Sequence, residues 1–209
     1  MTPYFITGIG TNIGKTVIAA IMAEALEADY WKPVQAGYGN GTDSQWLKKM
    51  MTNKKSFVHK EAYKLKLAAS PHIASEEEGF EISLEKIVDE MPVTSNRLLI
   101  EGAGGAMAPL NKNNFVIDLI KELSAKAIIV SKNYLGSINH SLLTAEVLKQ
   151  NKIDVLGWVF NGDYLDYENE IVQWSGFPWI ASVRNLPQIN KGVIHTQAVK
   201  IKEHLNLFL

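Results

Sequence analysis

Cysteine is absent from the chain. Its absence excludes a disulfide scaffold, thiolate metal sites and a cysteine nucleophile. Neither sign of charge prevails: 21 Lys and Arg stand against 22 Asp and Glu, for a formal net charge of -1 at pH 7. Charges so balanced and interspersed make no electrostatic case for nucleic acid or for an anionic membrane surface. No apolar run approaches the length needed to span a bilayer. The opening Met1-Thr2-Pro3-Tyr4-Phe5-Ile6 lacks a basic region ahead of a long apolar stretch. No signal peptide is therefore expected, and a cytoplasmic location is. Repeats, low-complexity tracts and Pro/Ser-rich linkers are missing too. What remains is 46% apolar residues in a chain of 209, enough for one sizeable core, so a single domain over residues 1–209 is expected.

Short apolar runs alternate with longer amphipathic stretches. Strands are expected at Tyr4–Thr7, Tyr30–Val34, Leu98–Glu101, Ala127–Ser131, Val155–Asn161 and Trp179–Val183. Helices are expected at Lys15–Glu27, Asp43–Met51, Ser137–Gln150, Glu168–Trp174 and Ile194–Leu205. This alternation predicts an α/β fold, a mostly parallel sheet with helices on both faces. Ligands in such sheets bind beyond the carboxyl ends of the strands, so functional motifs should fall just after a strand.

The first does. Gly8-Ile9-Gly10-Thr11-Asn12-Ile13-Gly14-Lys15-Thr16 has glycine, four residues, then Gly-Lys-Thr, between an expected strand and an expected helix. That spacing in that context defines a P-loop. Backbone N–H groups and the helix N-terminus attract a polyphosphate, Lys15 reaches its outer phosphates, and the Thr16 hydroxyl suits Mg²⁺.

Three further clusters are expected on the same edge of the sheet, Lys32 and Glu101 at strand ends and Asp43 at the start of a helix. Lys32, before Pro33, is either a cation on the ligand edge, suited to phosphate or carbamate oxygens, or a solvated surface lysine. Asp43 is either a helix N-cap or a metal ligand in need of a partner. Glu101 is either a solvent-facing strand end or a buried carboxylate that needs a cation, ahead of Gly102-Ala103-Gly104-Gly105. In Leu135-Gly136-Ser137-Ile138-Asn139-His140, free amides at a helix start could take a carboxylate, or Ser137 or Asn139 could simply cap the helix. His140 has no evident partner and is read as structural.

These clusters, together with Gly41-Thr42-Asp43, Ser70-Pro71-His72 and Gly157-Trp158-Val159-Phe160-Asn161, resemble the dethiobiotin synthetase family. The phosphate loop is shared by many families; the combination with Ser-Pro-His, Glu-Gly-Ala-Gly-Gly and Gly-x-Ile-Asn-His is more specific. The likeness weakens after Asn161. It implies a P-loop fold and an ATP- and Mg²⁺-dependent ring closure. Diaminopelargonic acid takes up CO₂ as a carbamate, ATP phosphorylates the carbamate, and the neighbouring amine closes a cyclic urea. By the same resemblance Thr16, Asp43 and Glu101 hold Mg²⁺. Thr11, Lys15 and Lys32 serve the chemistry, with Thr11 and Lys32 facing the carbamate. Asn12, Ile13, Gly14, Lys15, Thr16 and Val17 bind ATP with Glu101, Gly102, Ala103 and Gly104, and Asn161 reads adenine. Gly104, Gly136, Ser137 and Asn139 receive the substrate carboxylate, and the family forms homodimers with the substrate tail near the subunit boundary.

The chain departs from the family at Gly10 and Asn12, where many relatives are acidic, and at Ala36, where many carry a substrate-binding hydroxyl. It also departs at Ala181-Ser182-Val183-Arg184-Asn185-Leu186, where the usual pattern is Gly-x-Ile-Pro-x-Leu near the base. Two other classes share the loop. Cobyrinate-type amidating synthetases carry a cysteine-dependent glutaminase that this chain has neither the cysteine nor the length to supply. Partitioning ATPases of the MinD and ParA kind place an extra lysine where this chain has Ile9 and Gly10. Their membrane-binding members end in a basic amphipathic helix, whereas Ile201–Leu209 is only weakly basic.

Overall fold

The computed structural model describes residues 1–208; Leu209, the end of the weakly basic tail, lies outside the described residues. Strand β1 (Tyr4–Gly8) leads through the glycine loop into helix α1 (Lys15–Leu26). β2 (Asp29–Trp31), β3 (Val34–Ala36), α2 (Asp43–Met50) and β4 (Tyr63–Leu65) follow, then α3 (Pro71–Glu77) and α4 (Leu84–Asp89). The second half runs β5 (Leu98–Glu101), α5 (Val116–Glu122), β6 (Lys126–Lys132), α6 (Ser137–Gln150), β7 (Val155–Asn161), α7 (Glu168–Ser175), β8 (Trp179–Val183) and α8 (Lys191–Leu205).

Six strands form the main sheet in the order β2-β5-β1-β6-β7-β8, and β3 and β4 form a second, two-stranded sheet. The expectation of a mostly parallel sheet is exceeded, because every pairing in both sheets is parallel. Strand alternation sends side chains to opposite faces. Ile6, Ile128 and Val130 join the cluster under α1 and α8, whereas Phe5, Ala127 and Ile129 face the opposite helices. Helix α1 is alanine-rich and buried from Ile18 to Leu26, which lets the sheet and α8 approach it closely.

The expected strand Tyr30–Val34 is two strands. β2 stops at Trp31 and β3 starts at Val34 in the other sheet, with Lys32-Pro33 between them. Pro33 has no N–H to give a ladder and holds Lys32 extended, so the chain changes sheets at this point. β4, α3, α4 and α5 were not expected. At 3, 7, 6 and 7 residues they are too short to register a period.

Candidate active site

The carboxyl ends of β1, β2 and β5 converge with the start of α2 around a cavity of about 790 Å³. Gly14 is the N-cap of α1 at φ 90°, and a β-carbon there would fall 2.2 Å from Asn161 Nδ2. Only glycine combines that left-handed backbone with so close an approach. The approach is used: Asn161 Nδ2 donates to the Ile13 carbonyl at 2.8 Å, tying the end of β7 to the phosphate loop. The Ile13 side chain is buried in the core. Gly10 is open, with nothing within 4 Å of a β-carbon, so its departure from an acidic residue leaves the loop undisturbed.

Lys15 donates to the Gly10 carbonyl at 2.7 Å and lies folded back over the loop. Burial, the largest influence, carries its pKa down to about 8; Glu101 and Asp43 oppose that fall and Lys32 adds to it. Lys32 is 5% exposed, which overturns the solvated-surface reading. Its ammonium sits 2.6 Å from Asp43 Oδ2 and 2.9 Å from Glu101 Oε1. Burial alone would depress its pKa, but the two carboxylates together hold it above the ordinary lysine value. Glu101, 1% exposed, is not a solvent-facing strand end. Its Oε1 also accepts from the Thr16 hydroxyl at 2.8 Å, and its Oε2 accepts from the Tyr30 hydroxyl at 2.8 Å.

Asp43 is not the cap of α2. Thr42 is, in a reciprocal capping box with Gln45, and Asp43 is the first helical residue. Its backbone N–H donates to Gln35 Oε1 at 2.9 Å, and Gln35 Nε2 donates to the Gly37 carbonyl at 2.8 Å. The loop from β3 to α2 is thus pinned at both ends, which leaves the Asp43 carboxylate free to meet Lys32.

Thr11, Asn12, Gly14, Lys15, Thr16, Val17, Lys32, Asp43, Glu101, Ala103 and Gly104 all line the cavity. Gly102 does not line it; its N–H is donated to Ile6 O, and a β-carbon on it would fall 2.7 Å from the Phe5 ring. Gly136, Ser137 and Asn139 do not line it. The N-cap of α6 is Gly136, at φ 98°, which corrects the reading that Ser137 or Asn139 caps the helix. Ser137 is fully buried, its N–H donated to Tyr134 O and its hydroxyl 2.6 Å from that of Tyr167. His140 pairs with the Tyr134 hydroxyl at 2.7 Å, consistent with a structural role.

Residue-by-residue reading missed Tyr30, Gln35 and the wall formed by Ala68, Ala69 and Ala108. Tyr30 reads as one more apolar strand residue, and nothing in its neighbours signals a carboxylate partner. Gln35 could have been found, since it stands just past the Lys-Pro break. Among the described residues no group of three or more His, Cys, Asp and Glu side chains converges on a metal site. The oxygen set here is two carboxylates and a hydroxyl. That suits Mg²⁺, which keeps water and takes phosphate oxygens alongside one or two carboxylates.

Sequence comparison decides the family. A sequence model of the AAA domain matches residues 2–192. The ATP-dependent dethiobiotin synthetase BioD of Cytophaga hutchinsonii is 47% identical over 96% of this chain and 97% of its own. That of Christiangramia forsetii is 43% identical over 97% of each, and that of Paramagnetospirillum magneticum 36% identical over 93% of each. The chain belongs to the ATP-dependent dethiobiotin synthetase family. The likeness to these synthetases therefore runs well past Asn161, where the motifs fade. Among solved structures, the Pyrococcus furiosus cell division ATPase MinD superposes with a TM-score of 0.63 at 14% identity, covering 100% of both chains. The Aquifex aeolicus MinD cell division protein gives 0.62 at 14% identity, covering 99% of this chain and 97% of its own. At that identity the likeness shows a shared P-loop fold and nothing finer. No helix among the described residues is long and apolar enough to cross a membrane.

Proposed function

We propose that this chain, as one domain, converts 7,8-diaminopelargonic acid, CO₂ and ATP into dethiobiotin, ADP and phosphate. The observation that carries the reading is Lys32, buried between Asp43 and Glu101 at the mouth of the phosphate loop. The cavity brings two lysines, Lys15 and Lys32, together with hydroxyls and carboxylates beside the phosphate loop. It therefore suits chemistry in which the substrates supply the reacting atoms and the protein neutralises charge.

One substrate amine adds to CO₂ and loses a proton, giving a carbamate. A carbamate oxygen attacks the γ-phosphorus of ATP, and the bond to ADP breaks. The second amine then attacks the carbamoyl carbon, and phosphate leaves as the cyclic urea closes. Lys15 orients the outer phosphates, and Lys32 and Thr11 face the carbamate. Thr16, Asp43 and Glu101 would hold Mg²⁺, which supplies positive charge to the phosphate oxygens when bound. Asn161, already holding the loop through Ile13, is the adenine reader.

The carboxylate end of the substrate belongs at the α6 N-terminus, with Gly104, Gly136 and Asn139, where Ser137 shapes the corner rather than offering a free donor. These α6 residues lie away from the phosphate cavity within one chain, which favours a homodimer. Exposed Met107 and Leu143 line an apolar groove of about 300 Å³ between the glycine loop and α6, the surface a second copy would cover. Incubation with diaminopelargonate, bicarbonate, ATP and Mg²⁺ should yield the cyclic urea by mass spectrometry. ATP turnover stimulated by DNA or lipid, with no diamine-dependent product, would overturn the reading.

A further inference from the structure

The two oxygens of Glu101 are held from different sides. Oε1 accepts from Thr16 at 2.8 Å and from Lys32 at 2.9 Å, both cavity residues. Oε2 accepts at 2.8 Å from the hydroxyl of Tyr30, which is fully buried and lines no part of the cavity. We propose that Tyr30 is a positioning residue: it engages one oxygen of Glu101 so that the other alone faces the cation and the phosphates. The inference rests on the reading that Glu101 is a ligand of Mg²⁺.

The terminal torsion of a glutamate is broad, so a carboxylate at a strand end does not choose its plane by itself. Tyr30 chooses it, because the tyrosine cannot move. Its ring packs in the core cluster with α1, its N–H donates to Phe57 O at 2.9 Å, and its carbonyl accepts from His59 N at 2.8 Å. β2 is also locked in register with β5, Tyr30 opposite Leu99 and Trp31 opposite Ile100. With Oε2 engaged, Glu101 presents a single oxygen, Oε1, to the cavity, where with Thr16 and Asp43 it would hold a hard cation. Without the phenol, that oxygen would be buried unpaired, and the carboxylate would turn toward Lys32 or Thr16. Partners behind a metal ligand commonly govern metal affinity by about 10- to 100-fold when removed.

Tyr30→Phe deletes one oxygen and keeps the ring. ATP affinity is measured by calorimetry in EDTA and in Mg²⁺, alongside the Mg²⁺ concentration giving half-maximal turnover. The expected result is unchanged binding in EDTA, an affinity gain from Mg²⁺ reduced about tenfold, and a Mg²⁺ requirement raised by a similar factor. The KM for the diamine should stay within about twofold, since only the metal side is disturbed. In Glu101→Gln, adding Tyr30→Phe should cost little more, because both act through one carboxylate. A lower melting temperature with the Mg²⁺ gain intact would make Tyr30 a structural hydrogen bond only and overturn the inference. Equal losses in EDTA and in Mg²⁺ would overturn it too, by showing general damage to the loop. A wild-type protein whose ATP affinity gains nothing from Mg²⁺ would remove the metal reading of Glu101 and this inference with it.

Discussion

Lys32 Nζ and Glu101 Oε1 lie 2.9 Å apart, with 6% and 1% of their side chains exposed. An ion pair so buried stabilises little overall, because desolvation offsets most of the attraction, but breaking it by removing one partner is costly. Here the ammonium also meets Asp43, so one cation holds together the two carboxylates proposed for the metal.

Lys32→Gln should therefore have two separable effects. In the absence of Mg²⁺ the carboxylates lose their counter-charge, and stability falls by about 3–5 kcal/mol. Added Mg²⁺ should restore part of the lost melting temperature. At saturating substrates kcat should drop about a hundredfold to a thousandfold, while nucleotide affinity is largely kept, because the charge Lys32 meets is greatest in the transition state. Near-normal kcat would leave Lys32 with a structural role alone.

Lys15→Ala should abolish turnover, through loss of the cation nearest the outer phosphates. Steady-state assays with wild-type protein as the reference check this; an unimpaired kcat would sink the phosphate-loop assignment.

Asn161→Ala removes the bond to the Ile13 carbonyl and the proposed adenine reader together. The KM for ATP should rise by about tenfold, in line with one lost hydrogen bond of about 1.4 kcal/mol. The preference for ATP over GTP in kcat/KM should narrow. A raised KM with an unchanged ratio would confine Asn161 to bracing the loop.

Leu143, 58% exposed on α6, tests the second copy. Leu143→Glu should shift sedimentation toward monomer and raise the KM for the diamine, with nucleotide affinity unaltered. An unchanged sedimentation coefficient at that of a single chain, with normal kinetics, would count against the dimer.

Glu24, remote from the cavity, should shape acid stability. Burial alone would raise its pKa, but donors from Thr52, Asn53 and His195 outweigh it and hold the carboxylate at about 2, below the ordinary 4.5. A depressed carboxylate contributes its full stability above the unfolded value and loses it as pH falls toward the folded one, so the loss spans about pH 4.5 to 2. Glu24→Gln should cost about 1–3 kcal/mol at neutral pH. It should also flatten the acid limb of the melting temperature, which thermal scans from pH 7 to pH 3 would reveal.

Some of this was legible in the chain alone. The alternation of apolar runs decided a parallel α/β sheet, because strands buried on both faces and their covering helices have different periods. The glycine spacing decided the phosphate loop, because only a few backbone shapes bring amides together on an anion. Strand ends marked Lys32 and Glu101 as residues on the ligand edge. That Thr42 and not Asp43 caps α2 is legible in Thr42-Asp43-Ser44-Gln45, the spacing of a capping box; whether Lys32 faced water or carboxylate, and whether Asp43 joined it, was decided by tertiary structure alone. Pro33 moves the chain from one sheet to the other, and Gln35 then pins the loop so that Asp43 returns over Lys32. Tyr30 has no sequence signal at all, because a buried tyrosine in a strand reads the same whether or not its hydroxyl meets a carboxylate. Local pattern records burial and period; which buried polar groups face one another depends on strand order and register, and only the folded chain sets those.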